Sequence, residues 1–149
     1  MDVVIPNLDG YAQPEWNRPN SVLLALKAVV AAQDQSSGNA AYNQLLYAIG
    51  NNHRGTYWPV ALAIMPTLRT ILQSGGHWAQ QTALDALIDL YCSFTPEAKH
   101  QRFQGASLEE CVQEQIRALG PLVATLATRD DQVGERASAR VDCRVGRIA

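Results

Sequence analysis

Ala63-Ile64-Met65-Pro66-Thr67-Leu68-Arg69-Thr70-Ile71-Leu72 has a degenerate counterpart, Ala118-Leu119-Gly120-Pro121-Leu122-Val123-Ala124-Thr125-Leu126-Ala127, 55 residues further on. Pro66 aligns with Pro121, Leu68 with Val123, Thr70 with Thr125, Ile71 with Leu126 and, beyond them, Trp78 with Val133. Self-similarity at such a period is the signature of stacked helical units, each of which buries its apolar stripe only against its neighbour. Such stacks present broad binding surfaces, so the duplication points to a binder rather than a catalyst.

Helical periodicity extends outward from the two copies. Residues 1–19 hold Pro6, Gly10, Pro14 and Pro19 and read as an irregular arm, with Trp16 plugging one end of the core. A first helix is expected over 20–33, capped by Asn20 or Ser21, with Val22, Leu26, Val29 and Val30 at helical spacing. After the polar turn 34–39, a second covers 40–49 and stops at Gly50, a residue suited to a left-handed C-cap. A third covers 57–73, with Thr56 as N-cap, Pro59 in the first turn and Pro66 bending its middle. A fourth covers 77–94, apolar on two sides, with Gln81, Asp85 and Asp89 as its polar stripe. A fifth covers 107–128, opened by the capping box Ser107/Glu110, and a weaker last helix covers 132–144. No segment alternates with period two, so no strand is expected. The fold class read from this pattern is all-α, a single domain over 1–149 of about five to six helices in antiparallel pairs, with 145–149 a frayed tail.

Composition narrows the function classes. The chain has 149 residues, 47% of them apolar, which suits one domain with a sizeable core. A net charge of −2 implies no general attraction to nucleic acid or anionic lipid. Four arginines, Arg136, Arg140, Arg144 and Arg147, gather at the C-terminus and read as a solvated helix face. Cys92, Cys111 and Cys143 have no close pairing and read as small buried residues of a reducing compartment. With no apolar run of signal-peptide or membrane-span length, the expected location is cytoplasmic.

The chemistry-bearing residues are sparse. His53, His77 and His100 are spread too widely for a metal site, so none is expected, nor any cofactor. The serines have no matched base, and no catalytic residue is assigned. Asp85 and Asp89 with Gln81 read as paired carboxylates for acid/base work, as the hydrated stripe of a covered helix, or as an acidic surface that grips a basic partner. Asn51, Asn52, His53 and Arg54, followed by Tyr57 and Trp58, form the other candidate. Exposed Arg, Tyr and Trp dominate interface energetics, but Tyr57 and Trp58 can equally wedge between helices.

The run Asn52-His53-Arg54-Gly55-Thr56-Tyr57-Trp58-Pro59, leading into Pro66-Thr67-Leu68, resembles a widespread group of bacterial HEAT-like proteins. In that group a His-x-Gly-Thr loop precedes a helix carrying Pro-x-Leu. The next helix opens with Trp-Ala and a variant of Ala-Leu-Asp-Ala-Leu, here Trp78-Ala79 and Ala83-Leu84-Asp85-Ala86-Leu87. The likeness covers about 41–91, with an echo at 115–142. It implies a short HEAT/armadillo-like stack without catalytic residues. It further implies an immunity protein that binds and neutralises a cognate antibacterial toxin, often a nuclease delivered by contact-dependent or type VI secretion. Partner contacts are then expected at Asn51, Asn52, His53, Arg54, Tyr57, Trp58, Gln81, Asp85 and Asp89. A nucleic-acid-binding or scaffold HEAT-like module is the alternative, and an enzyme of HEAT-like type a third.

Overall fold

The computed structural model describes residues 2–129. It is mostly helical, with α1 (Ser21–Val30), α2 (Gln35–Ile49), α3 (Val60–Ala63), α4 (Met65–Ser74), α5 (His77–Cys92), α6 (Leu108–Arg117) and α7 (Gly120–Arg129). It also holds five two-residue strands, β1 (Gly50–Asn51), β2 (Thr56–Tyr57), β3 (Thr95–Pro96), β4 (Arg102–Phe103) and β5 (Ala106–Ser107). The strands correct the all-α expectation. They are too short to alternate, so no periodicity announces them. The expected helix over 132–144, the terminal arginine cluster, Cys143, Val133 and the frayed tail lie outside the described residues.

Helix α5 is the centre, packing against α1, α2, α4 and α6. Its covered sides are built from Ala79, Ala83, Leu84, Ala86, Leu87, Ile88 and Leu90, all buried. The alanines let neighbouring helices approach closely. At Gly38 on α2, an added Cβ would lie 3.1 Å from Thr82 Oγ1 and 3.7 Å from the Trp78 ring, so a bare backbone is what lets α2 cross α5 there. The buried Thr82 hydroxyl donates to Trp78 O at 2.7 Å and so costs little inside the core.

Two expected helices are broken, each just before its proline. The third becomes α3 and α4, with Pro66 in the first turn of α4 rather than mid-helix. The fifth becomes α6 and α7, with Pro121 as the second residue of α7. Inside a helix a proline costs roughly 3 kcal/mol, whereas in the first turn its missing N–H has no partner to lose. Breaking the helix is therefore cheaper than bending it. The two segments bury residues at corresponding positions: Ile64, Leu68 and Ile71, and Leu119, Val123 and Leu126. Thr70 Oγ1 donates to Pro66 O at 3.1 Å, and Thr125 Oγ1 to Pro121 O at 2.9 Å.

Other boundaries move for local reasons. Asp34 and Ser37 form a reciprocal capping box, which starts α2 five residues earlier than its apolar stripe suggests. Thr56 caps no helix; it lies in β2, and its hydroxyl donates to Glu97 Oε2 at 2.9 Å. Ser107 does cap α6, accepting from Glu110 N–H. Gly50 is extended rather than left-handed. Its lack of a side chain matters because a Cβ there would sit 2.0 Å from Thr56 O, inside the β1–β2 pairing. Trp16 does not plug the core; it is 40% exposed. Cys92 and Cys111 are half-buried rather than core residues.

Two outcomes follow from these contacts. Gly50→Ala should lose roughly 3 kcal/mol or more in a urea titration, because the clash is with backbone. Gly76→Ala, where a Cβ meets nothing within 4 Å, should lose under about 1 kcal/mol. The second concerns Asp34, whose pKa is lowered by hydrogen bonds from the Ser37 backbone and side chain. A depressed carboxylate stabilises the fold above its unfolded pKa and loses that contribution as pH falls through the folded one. The advantage of the native chain over Asp34→Ala should thus be full above pH 3.8 and vanish on further acidification, read from paired thermal melts.

Candidate functional site

The chain between α2 and α3 is a hairpin. Asn51 Oδ1 accepts from the N–H groups of His53 and Arg54, both at 3.1 Å, and shapes the turn. Gly55 closes it with φ +67, a left-handed conformation that glycine adopts without strain. β1 and β2 then pair antiparallel, and Trp58 N–H donates to Ile49 O at 2.8 Å. On its other side β2 pairs parallel with β3, just after α5. Thr95 N–H donates to Gly55 O at 2.9 Å and Glu97 N–H to Tyr57 O at 2.8 Å. The turn is thereby fastened to the C-terminal end of α5.

This fastening brings the two sequence candidates together. Asn51 and Asn52 are half-buried at the turn, and His53 and Arg54 are exposed at its tip. Gln81, Asp85 and Asp89 line the half-exposed edge of α5. Gln81 Nε2 donates to Asp85 Oδ1 at 3.1 Å, and the Tyr42 hydroxyl of α2 donates to Asp89. One residue along α2, Asn43 Oδ1 lies 3.5 Å from Asn52 Nδ2. An amide-and-carboxylate edge thus runs from Gln81 to Asp89 and, through Tyr42 and Asn43, to the turn.

Tyr57 and Trp58 do not belong to that surface. Tyr57 is 0% and Trp58 7% exposed, so neither can meet a partner. They wedge into the core, where Trp58 packs on His100 at 4.6 Å and edge-on to Trp16 at 6.3 Å. Their polar atoms, Tyr57 Oη and Trp58 Nε1, are buried and unpartnered, as is Asn52 Oδ1 at the turn. Burial pushes the Tyr57 phenol well above its usual pKa, with Glu109 and Cys111 adding to the effect.

The exposed aromatics are instead Trp16 and Tyr47, stacked at 5.3 Å. Tyr47 falls on the polar side of α2, a position that helical spacing could have flagged. Elsewhere, a groove of about 420 Å³ is lined by residues including Tyr11, Leu62, Phe103, Cys111 and Glu114. It shares no residue with the edge just described. Among the described residues no group of His, Cys, Asp and Glu is arranged to hold a metal ion, and no helix is long and apolar enough to cross a membrane. Comparison with protein-family models, with curated proteins and with solved structures finds no match to the chain.

A buried hydroxyl without a partner carries a desolvation penalty of about 1–3 kcal/mol. Tyr57→Phe removes the hydroxyl and keeps the ring. It should leave the melting temperature unchanged or raise it, whereas Tyr42→Phe, which breaks the bond to Asp89, should lower it.

Proposed function

We propose that the chain is a non-enzymatic immunity protein, a short HEAT-like stack in the cytoplasm that neutralises a cognate antibacterial toxin. The toxin it suits is a nuclease, inhibited by occlusion of its active site. The observation that carries this reading is the polar edge Gln81–Asp85–Asp89, joined through Tyr42 and Asn43 to the 51–54 turn. A nuclease cleft is basic where it grips phosphates, and carboxylates at fixed positions can take the place of phosphates there. Because both acids stand on a helix packed by its neighbours, little side-chain ordering is left to do on binding.

The contact set under this reading is Asn51, Asn52, His53, Arg54, Gln81, Asp85 and Asp89, within an interface of about 1,600 Å² in total. The resemblance over 41–91 supports the same role. The nucleic-acid-binding alternative gains nothing from the net charge of −2.

Co-expression with the product of the reading frame directly upstream should relieve that product's toxicity, and the two should co-purify. Toxicity unaffected by this chain sinks the reading. In the purified complex, Asp85→Lys should slow association roughly tenfold at low salt, with less effect at high salt. An unchanged rate would move the interface away from α5.

A further inference from the structure

The arm leading into α1 is irregular, yet around Trp16 it is tightly held. Trp16 Nε1 donates to Tyr47 O at 2.8 Å, and Asn17 Nδ2 donates to Ala48 O at 2.7 Å. Lys99 pairs with Glu15 at 3.2 Å. The indole stacks on the Tyr47 ring and rests its edge against the buried Trp58. Even so, Trp16 is 40% and Tyr47 51% exposed. Two large rings are therefore fixed in place and left partly in water. The indole's only donor is already engaged, so what Trp16 can offer a partner is apolar ring surface.

The pair adjoins the polar edge described above. Asn43 and Tyr47 are one turn apart on the exposed face of α2, and Asn43 meets Asn52 of the turn. Tyr42, on the neighbouring edge of the same helix, holds Asp89. Aromatic rings, amides and carboxylates thus form one continuous surface around α2. Such a surface has the make-up of a protein interface, in which pre-ordered aromatic anchors supply the affinity and charges steer the encounter.

We infer that Trp16 and Tyr47 are the apolar anchor of this interface, and that the partner they fit is a basic protein with an apolar pocket beside its cationic cleft. The inference rests on the protein-binding reading above and adds to it the residues that hold the complex together. Fixed rings lose little rotational freedom on docking, so their contribution appears in the dissociation rate. The acidic edge acts mainly on the association rate.

The test uses the full chain and the purified product of the upstream reading frame, with kinetics measured at two salt concentrations. Trp16→Ala and Tyr47→Ala should each speed dissociation about 30-fold, which corresponds to a loss of about 2 kcal/mol, with the salt dependence of association unchanged. Trp16→Phe, which keeps a ring in place, should retain most of the native affinity. Because Trp16→Ala also removes a neighbour of Trp58, each variant is first melted; Tyr47→Ala and Trp16→Phe carry the test if it unfolds. Native dissociation in the aromatic variants alongside slowed association in Asp85→Lys would overturn the anchor and leave the immunity reading intact. If the native chain neither binds nor neutralises that product, both fall. Binding of single-stranded DNA through the rings instead would also overturn the inference.

Discussion

Two backbone hydrogen bonds, from Thr95 N–H to Gly55 O and from Glu97 N–H to Tyr57 O, tie the hairpin after α2 to the chain leaving α5. Each is modest alone, worth about 1 kcal/mol net. Their importance is geometric. They join segments 40 residues apart in sequence and fix where α3 begins. They also press Tyr57 and Trp58 into the core and set the turn beside the C-terminal end of α5. Gly50 is part of the same constraint, since any side chain there would force β1 and β2 apart. A different connection between α2 and α3 would leave the turn and the acidic edge as unrelated patches.

The core is consistent with α5 as the element around which the others assemble. Its buried positions mix alanines with leucines, which allows close helix crossings on more than one side. The two proline-led helices, α4 and α7, pack against each other and bury matching sets of residues, Ile64/Leu68/Ile71 and Leu119/Val123/Leu126. In each, a threonine bonds back to the proline carbonyl, Thr70 to Pro66 and Thr125 to Pro121. Upstream the two differ in length: α4 follows the four-residue α3, and α7 follows the ten-residue α6.

What the sequence announced was the part written with period 3.6. In α1 the expected Val22, Leu26 and Val29 are buried, because an apolar stripe sustained at that period over ten or more residues fits little except a helix packed on one side. What it hid depends on pairs distant in the chain. A two-residue strand has no period, so β2 and β3 are visible only once they meet. The sequence reads Pro66 as a mid-helix bend, whereas the chain breaks at Ile64 and leaves it in the first turn of α4. The edge Gln81–Asp85–Asp89 was legible as a polar stripe, but its junction with the 51–54 turn passes through Tyr42 and Asn43, which no motif connects to it.

The aromatic residues show the same limit most sharply. Trp16 and Trp58 both lie close to prolines, and hydrophobicity cannot rank their burial. The structure makes them successive members of one column: His100 against Trp58, Trp58 edge-on to Trp16, and Trp16 stacked on Tyr47. Its inner end is core and its outer end is surface. A ring at the surface is ordinarily free to turn, and binding must then stop it at an entropic cost. Here the inner ring is buried behind the hairpin and the outer two stack on each other beside it. The contacts that bury Trp58 thus give Trp16 its inner neighbour, while bonds to Tyr47 O and Ala48 O of α2 hold it from the other side.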